Sequence, residues 1–138
     1  MKINDFLLKM WDDYCQLNPH IDQVLNLIKS KEPHEIKNDH IAIRTFNHKK
    51  LNRHILSDYF LKNGYEAVED LIFTKKKLKA TYFIHSDPGL PRIFISELLL
   101  ENFSDSFCEI ITKKIDEVDI KSVSDPFFLT SGIPWSPI

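Results

Sequence analysis

The stretch Asn38–Phe46, NDHIAIRTF, decides how this chain folds. Within it Ile41 and Ile43 alternate with polar or small residues, and a period of two is typical of a β-strand with one apolar face. The segments before it carry apolar residues at the helical period instead. We therefore predict that the chain changes from helix to sheet at residue 38.

Outward from this strand, the hydrophobic pattern predicts helices and further strands separated by turn residues. Gly64 lies where a helix would end, and Ser104 is placed to cap the last helix. The order from residue 38 is β-α-β-β-β, which predicts an α+β fold: a curled four-stranded sheet, antiparallel or mixed, with helices over one face. The predicted helices are 4–17, 20–31, 50–63 and 105–118, and the further strands are Ala67–Thr74, Lys79–His85 and Arg92–Leu99.

A length of 138 residues predicts a single domain. We divide it into a helical lead-in over 1–35, a βαβββ module over 38–100, and a helix with a tail over 103–138. The tail from Asp125 to Ile138 is too apolar for a free end. It either packs back on the domain, or the chain stops where a longer protein would continue.

Charge and composition exclude several classes of partner. A net charge of −2 gives no electrostatic footprint for nucleic acid or for an anionic membrane. Acidic and basic residues interrupt the apolar pattern of the first helix, so it is not a signal peptide, and no apolar run reaches the roughly 18 residues of a membrane span. We expect a cytoplasmic protein in which Cys15 and Cys108 are reduced thiols.

His40 and Arg44 are the first candidates for chemistry. On a strand, residues i and i+4 lie on the same face about 13 Å apart, and only Ala42 lies between them. An imidazole can ligate a metal, and a guanidinium can bind a carboxylate through two hydrogen bonds. A metal at one end and an arginine at the other would suit a short dicarboxylate. The alternative is that both side chains lie on a solvated sheet face.

Glu97 is the second candidate, because its predicted strand places it on one face with Ile93 and Ile95. A carboxylate in that setting is costly unless it is paired or binds a metal. Two interpretations stay open, a pocket or metal role and a structural hydrogen bond. His20, His34, His48 and His54 have no partner at ligand spacing, so we predict surface positions for them. His85, which ends a strand beside a turn, is a slightly stronger candidate.

Three segments, Asn38–Phe46, Lys75–Leu78 and Leu90–Leu98, resemble the 2-oxoadipate dioxygenase/decarboxylase (2-hydroxyglutarate synthase) family. Ser131–Trp135 also resembles a stretch of the shorter bacterial members. The similarity runs over essentially the whole chain in the family's order, and the first and third segments are quite specific.

The resemblance implies a vicinal-oxygen-chelate-like fold of paired βαβββ modules, which agrees with the strand order predicted above. It implies Fe(II) held by two His and one Glu, a 2-oxo dicarboxylic acid as substrate, loss of CO₂, and 2-hydroxyglutarate as product, in lysine catabolism. Matched position by position, it makes His40 a metal ligand and Arg44 the ligand of a substrate carboxylate. Glu97 falls on a family motif as a substrate-pocket candidate.

The chain also departs from the family. The second His and the metal Glu belong to a second module that this chain lacks, and Tyr82 stands where shorter members often carry a His. The resemblance therefore implies association, either as a homodimer or with a separately encoded second module.

Three functions follow as alternatives. The chain is the first module of an Fe(II)-dependent 2-oxo acid dioxygenase/decarboxylase, completed by a second module. Otherwise, it is a non-catalytic module, left by a split or truncated gene, that binds a small acid or a partner. The third is a glyoxalase-like homodimer that binds a divalent metal through His40 and Glu97 of both copies.

Overall fold

A computed structural model describes residues 2–31, 37–119, 123 and 125–130 of the chain. The helices and strands follow the predicted order closely, with bounds that differ by a few residues at most. They are α1 (Ile3–Leu17), α2 (Ile21–Lys31), β1 (His40–Phe46), α3 (Arg53–Lys62), β2 (Tyr65–Phe73), β3 (Leu78–His85), β4 (Arg92–Leu98) and α4 (Asp105–Asp116).

The strands form one mixed sheet in the order β1-β4-β3-β2. β1 runs parallel to β4, and the other two pairings are antiparallel. β1 and β2 are thus the edge strands, and the pairing of β2 shifts by one residue between Ala67 and Glu69. The predicted βαβββ order and the four-stranded sheet are confirmed.

The core lies between one face of the sheet and the helices. Ile93 and Ile95 of β4 are fully buried and belong to the same apolar cluster as Phe6 of α1 and Phe60 of α3. Burying apolar surface is the main force that holds these layers together. The cluster also contains Leu51, Leu56, Phe83, Ile111 and Ile115, with Ile41 and Ile43 of β1 packed against it.

Two local features fix the position of α3 between β1 and β2. The side chain of Asn52 caps its start by accepting hydrogen bonds from the backbone N–H groups of His54 and Ile55, both at 3.1 Å. Gly64 follows its end with a φ of 89°, a conformation that other residues rarely adopt. A Cβ at that position would also lie 2.7 Å from Nε2 of His85. Ser104 caps α4 as predicted, accepting from the N–H of Phe107.

The helix α2 packs less closely than the other helices. A helix with an apolar stripe usually turns it to the core, yet none of the residues of α2 is buried. Leu27 is 60% exposed, and Val24 and Ile28 are also exposed. Ile21 and Leu25 are half-buried, so the stripe is only partly covered within the described residues. The same holds for Ile110 on α4, which is 55% exposed.

The first part of the C-terminal segment packs back on the domain. Residues Pro126–Thr130 form a short 3₁₀ helix against α1, and Phe128 is buried in the core cluster. The motif Ser131–Trp135 lies outside the described residues, as does His34. Cys15 and Cys108 are free thiols and half-buried. None of the helices in the described part of the chain has the length and hydrophobicity that a membrane crossing requires.

Candidate functional site

The face of the sheet that points away from the core, here called the open face, carries the predicted site. It is defined by His40, Ala42 and Arg44 of β1 together with Arg92 and Phe94 of β4. His40 pairs with Arg92 and Ala42 with Phe94 across the parallel β1–β4 ladder. Paired residues point to the same face, so the structure brings His40 and Arg44 to one face, with Ala42 between them.

His40 is held at the start of β1 with its imidazole accessible. Its side chain is 60% exposed, and Nδ1 lies 3.3 Å from Oδ2 of Asp39. A hydrogen bond from Nδ1–H to this carboxylate leaves Nε2 with a free lone pair. A carboxylate in that position is the usual second partner of a metal-binding imidazole, so His40 can act as a metal ligand through Nε2.

Arg44 lies four residues further along the open face and is exposed. Within the described residues its guanidinium forms no ion pair. It lines, with His40, a cavity of about 700 Å³ along the free edge of β1. Trp11 and Tyr14 of α1 form part of the opposite wall. A carboxylate that enters this cavity can reach a guanidinium without displacing an internal partner.

A second cavity, of about 490 Å³, lies over the open face and shares His40 with the first. Arg92 and Asp39 make its polar end, and Tyr82 and Phe94 are among its apolar walls. Arg92 was not predicted as a site residue, although its position at the start of the last strand, two residues before Phe94, places it on this face. No spacing along the chain indicates that it lies beside His40, because that contact depends on the pairing of β1 with β4.

Glu97 lies on the opposite face of the sheet, and the structure does not bring it together with His40 and Arg44. It is paired with Thr45 in the ladder, is 4% exposed, and faces the helices. One of its carboxylate oxygens accepts from the Arg53 guanidinium, and the other accepts from the Arg53 backbone N–H at 3.0 Å. Of the two roles left open, the observed contacts are those of the structural one, because the carboxylate that would meet a substrate is already occupied.

Arg53, the partner of Glu97, is a buried residue that the sequence pattern did not single out. Its guanidinium also donates to Thr81 at 2.9 Å and to Asp70 at 3.0 Å. The hydrogen bond from Thr81, and then those from Lys79 and Arg53, lower the pKa of Asp70 to about 2. This network fastens the start of α3 to β2, β3 and β4, which positions the sheet but does not reach the open face.

The remaining histidines do not join the site. His20 and His54 are exposed, as predicted. His48 is only half-exposed, and burial lowers its pKa. His85 packs its ring against Tyr65 at a centroid distance of 5.1 Å and accepts from the Asp87 N–H. Tyr82 lies on the open face opposite Phe94.

The residues at hand do not complete a metal site by themselves. Among the described residues, no group of three or more His, Cys, Asp or Glu side chains could hold a metal ion. A facial triad needs two imidazoles and a carboxylate, and the open face offers one imidazole with Asp39 beside it. The described donors therefore fit one part of such a site and not the whole.

The βαβββ order, the parallel β1–β4 pair and the accessible His and Arg on one open face define a vicinal-oxygen-chelate-like α+β module. A family model described as 2-oxoadipate dioxygenase/decarboxylase matches residues 6–125. The chain belongs to this family.

Two plant proteins and three solved structures are similar to the chain. The 2-oxoadipate dioxygenase/decarboxylase of Arabidopsis thaliana, a chloroplastic protein, is 35% identical over 111 residues, which are 72% of this chain and 30% of that protein. The counterpart from Oryza sativa subsp. japonica, chloroplastic/amyloplastic, is 37% identical over 112 residues, or 74% of this chain and 31% of that protein. The cytoplasmic location predicted above receives no support from these relatives.

Among solved structures, that of a Shewanella frigidimarina protein described as a hydrolase has a TM-score of 0.88 at 39% identity, covering 97% of this chain and 52% of that one. The Oryza sativa hydroxyglutarate synthase in complex with 2-oxoadipate has a TM-score of 0.84 at 33% identity, covering 95% and 46%. A Ralstonia eutropha protein of the glyoxalase superfamily, at 14% identity and a TM-score of 0.67, shares the fold. The chain thus spans about a third of the plant relatives and about half of the first two solved proteins.

Proposed function

We propose that this chain is the first βαβββ module of a metal-dependent dioxygenase/decarboxylase that acts on a small 2-oxo dicarboxylic acid, 2-oxoadipate by analogy with its relatives, and forms 2-hydroxyglutarate. The observation that carries the proposal is the placement of His40 and Arg44 on one open face, with only Ala42 between them. A rice relative was solved in complex with 2-oxoadipate.

Each residue has a distinct role in this proposal. His40 would supply one ligand to a divalent metal, Fe(II) by resemblance, and such a centre has open positions at which a 2-oxo acid and O₂ bind. Asp39 orients the imidazole through Nδ1. Arg44 binds the substrate carboxylate that lies away from the metal, and Ala42 leaves room for the carbon chain between the two ends.

A second module is needed to complete the site. One imidazole is too few ligands to fix a metal with open coordination positions. The chain covers 52% and 46% of the first two solved relatives, so each of them is about twice as long as this chain. We therefore propose that a second βαβββ module, on the same polypeptide or separately encoded, covers the open face and contributes the other ligands.

Sedimentation velocity, metal analysis and oxygen consumption on 2-oxoadipate test the proposal on the purified 138-residue chain. Alone, the chain should bind Fe(II) weakly and consume little oxygen. Together with a polypeptide that carries the missing His and Glu, it should form a complex that holds iron and turns over, and His40→Ala should abolish both. The control His54→Ala, at an exposed position on α3, should not change them. A monomer that turns over substrate with stoichiometric iron would contradict the two-module proposal.

The absence of three metal donors from the described residues favours a second candidate, a module that binds a small acid without chemistry. It predicts that 2-oxoadipate binding persists and that no second polypeptide restores oxygen consumption. The glyoxalase-like homodimer is the weaker alternative, because Glu97 faces the helices and is paired with Arg53. A dimer formed through the open face would leave that carboxylate on the wrong side of each sheet.

A further inference from the structure

Arg92 is a second cation on the open face, directly beside the proposed metal ligand. It is the ladder partner of His40, and its backbone N–H donates to the Asp39 carbonyl at 3.0 Å. Neighbouring strands are about 4.8 Å apart, so the two side chains leave adjacent backbone positions. Arg92 is exposed, and within the described residues its guanidinium forms no ion pair, which leaves it available to an anion.

An apolar row separates Arg92 from Arg44. Arg92 lies level with His40, and the next row along the sheet contains Ala42, Phe94 and Tyr82. Arg44 follows in the third row, where it is paired with Ser96. The order along the open face is therefore cation, apolar band, cation. The cavity of about 490 Å³ covers the Arg92 end and the aromatic part of the band.

This order matches the chemistry of an acyclic diacid, which has an anion at each end and methylene groups between. The two arginines are about 13 Å apart along the strands. A six-carbon chain with bonds of about 1.5 Å extends roughly 6 Å, and two long side chains that lean inward span the remainder. Among the described residues that line the cavity at the Arg92 end, Asp39 is the one acid, and it already lies against His40. At the Arg44 end, Asp13 lines the larger cavity.

We propose that Arg92 binds the carboxylate next to the keto group, at the His40 end of the site, while Arg44 binds the distal carboxylate and Phe94 and Tyr82 contact the methylenes. The inference rests on the proposed function, since it assigns a second ligand to the same substrate. It adds to the proposed function a contact that binds the 2-oxo acid end of the substrate whatever the length of the acid.

Two acids separate the roles of the arginines. 2-Oxoadipate has both carboxylates, and 2-oxohexanoate lacks the distal one. Binding of each acid to the metal-free chain is measured by NMR titration for the wild type, Arg92→Gln, Arg44→Gln and the control Lys113→Gln, which removes an exposed cation from α4. Arg92→Gln should weaken both acids by the same factor, about tenfold for a lost charge-assisted contact. Arg44→Gln should weaken only 2-oxoadipate, and Lys113→Gln neither.

The outcomes distinguish this inference from the proposed function. If Arg92→Gln binds both acids like the wild type while Arg44→Gln loses 2-oxoadipate, the role of Arg92 is wrong and the acid site stands. If Arg92→Gln weakens only 2-oxoadipate, Arg92 binds the distal carboxylate and the assigned orientation is wrong. If the wild-type chain binds neither acid, the assignment of both arginines as carboxylate ligands is wrong, and the oxygen-consumption test decides the two-module proposal separately. Both arginines are exposed, so thermal unfolding of the variants should match that of the wild type.

Discussion

Arginine side chains lie on both faces of the sheet, but their surroundings differ. On the open face, His40, Arg44 and Arg92 are exposed and available to a ligand. On the covered face, Arg53 and Glu97 are almost completely buried and bind each other. A buried charge is tolerated only when it is paired, so the covered pair must form whenever the domain folds. The open-face cations do not need an internal partner, so a bound ligand can determine their side-chain conformations.

We predict that breaking the buried pair costs far more stability than breaking an exposed one. Glu97→Ala leaves the buried Arg53 guanidinium with only the half-exposed carboxylate of Asp70 as an ionic partner, and should lower the free energy of unfolding by about 3 kcal/mol. Glu97→Gln, which keeps an acceptor, should cost less. The matched control is Asp58→Ala, which removes an exposed ion pair with Lys62 on α3 and should change stability by about 0.5 kcal/mol or less. Urea unfolding measures all three variants, and equal losses for Glu97→Ala and Asp58→Ala would contradict this account.

The candidate residues His40, Arg44 and Glu97 show what the sequence can and cannot predict about a site. The two-residue period placed His40 and Arg44 on one face, because that alternation is local to β1. The same period placed Glu97 with Ile93 and Ile95, but a pattern within one strand does not say which face meets the helices and which meets a ligand. Arg53 was missed for a related reason. Its partners lie on three strands, and no spacing along the chain brings them together.

At the scale of elements, the sequence predicted well which helices and strands are present and in what order. It predicted less well how those helices pack. Every predicted helix and strand within the described residues is present, because cap residues and turn residues fix their ends locally. The stripe on α2 is apolar at the helical period, yet none of its side chains is buried, and Val24 and Ile28 are exposed. Periodicity reports that a helix has an apolar face, and it does not report what that face contacts.

Asp70 fastens the edge strand β2 to the domain, and its pKa predicts how that attachment responds to acid. The hydrogen bond from Thr81, with those from Lys79 and Arg53, lowers the pKa from 3.8 to about 2. A lowered carboxyl pKa means that stability is present above the unfolded value and is lost as pH falls through the folded one. We expect the free energy of unfolding to fall between about pH 4 and pH 2.

Asp70→Asn tests this by removing the titrating group. The variant should be less stable than the wild type at neutral pH and should lose stability less steeply in the acid window. The difference should be modest, because the Asp70 side chain is nearly half exposed and solvent screens its interactions. Glu109→Gln, an exposed control on α4, should keep the wild-type slope. A wild type and an Asp70→Asn variant with parallel pH profiles would contradict the prediction. Urea unfolding at a series of pH values provides the measurement.

At the scale of the whole molecule, helices cover one face of the sheet, and the opposite face is uncovered around His40 and Arg92 but buried at Ala80 and Ser96. Helices and core residues cover Ile93 and Ile95, whereas Ile84 and Val68 remain exposed on the other side. Exposed apolar groups around a ligand cavity are typical of a surface that meets another protein. In the proposed function, a second module that supplies metal donors would have to approach His40 from the same side.

We predict that a charged residue introduced on the open face weakens association with the second module, whereas a charged residue introduced on α4 does not. Ile84 is 42% exposed beside the smaller cavity, and Ile110 is 55% exposed on α4. Ile84→Glu would bury a carboxylate without a partner in the assembled interface, which is costly, so its dissociation constant in sedimentation velocity should rise at least about tenfold. Ile110→Glu should assemble like the wild type. Both isolated variants should unfold at the wild-type temperature, because each isoleucine already contacts solvent. The opposite pattern, with Ile110→Glu alone failing to assemble, would place the second module against α4 and remove it from reach of His40.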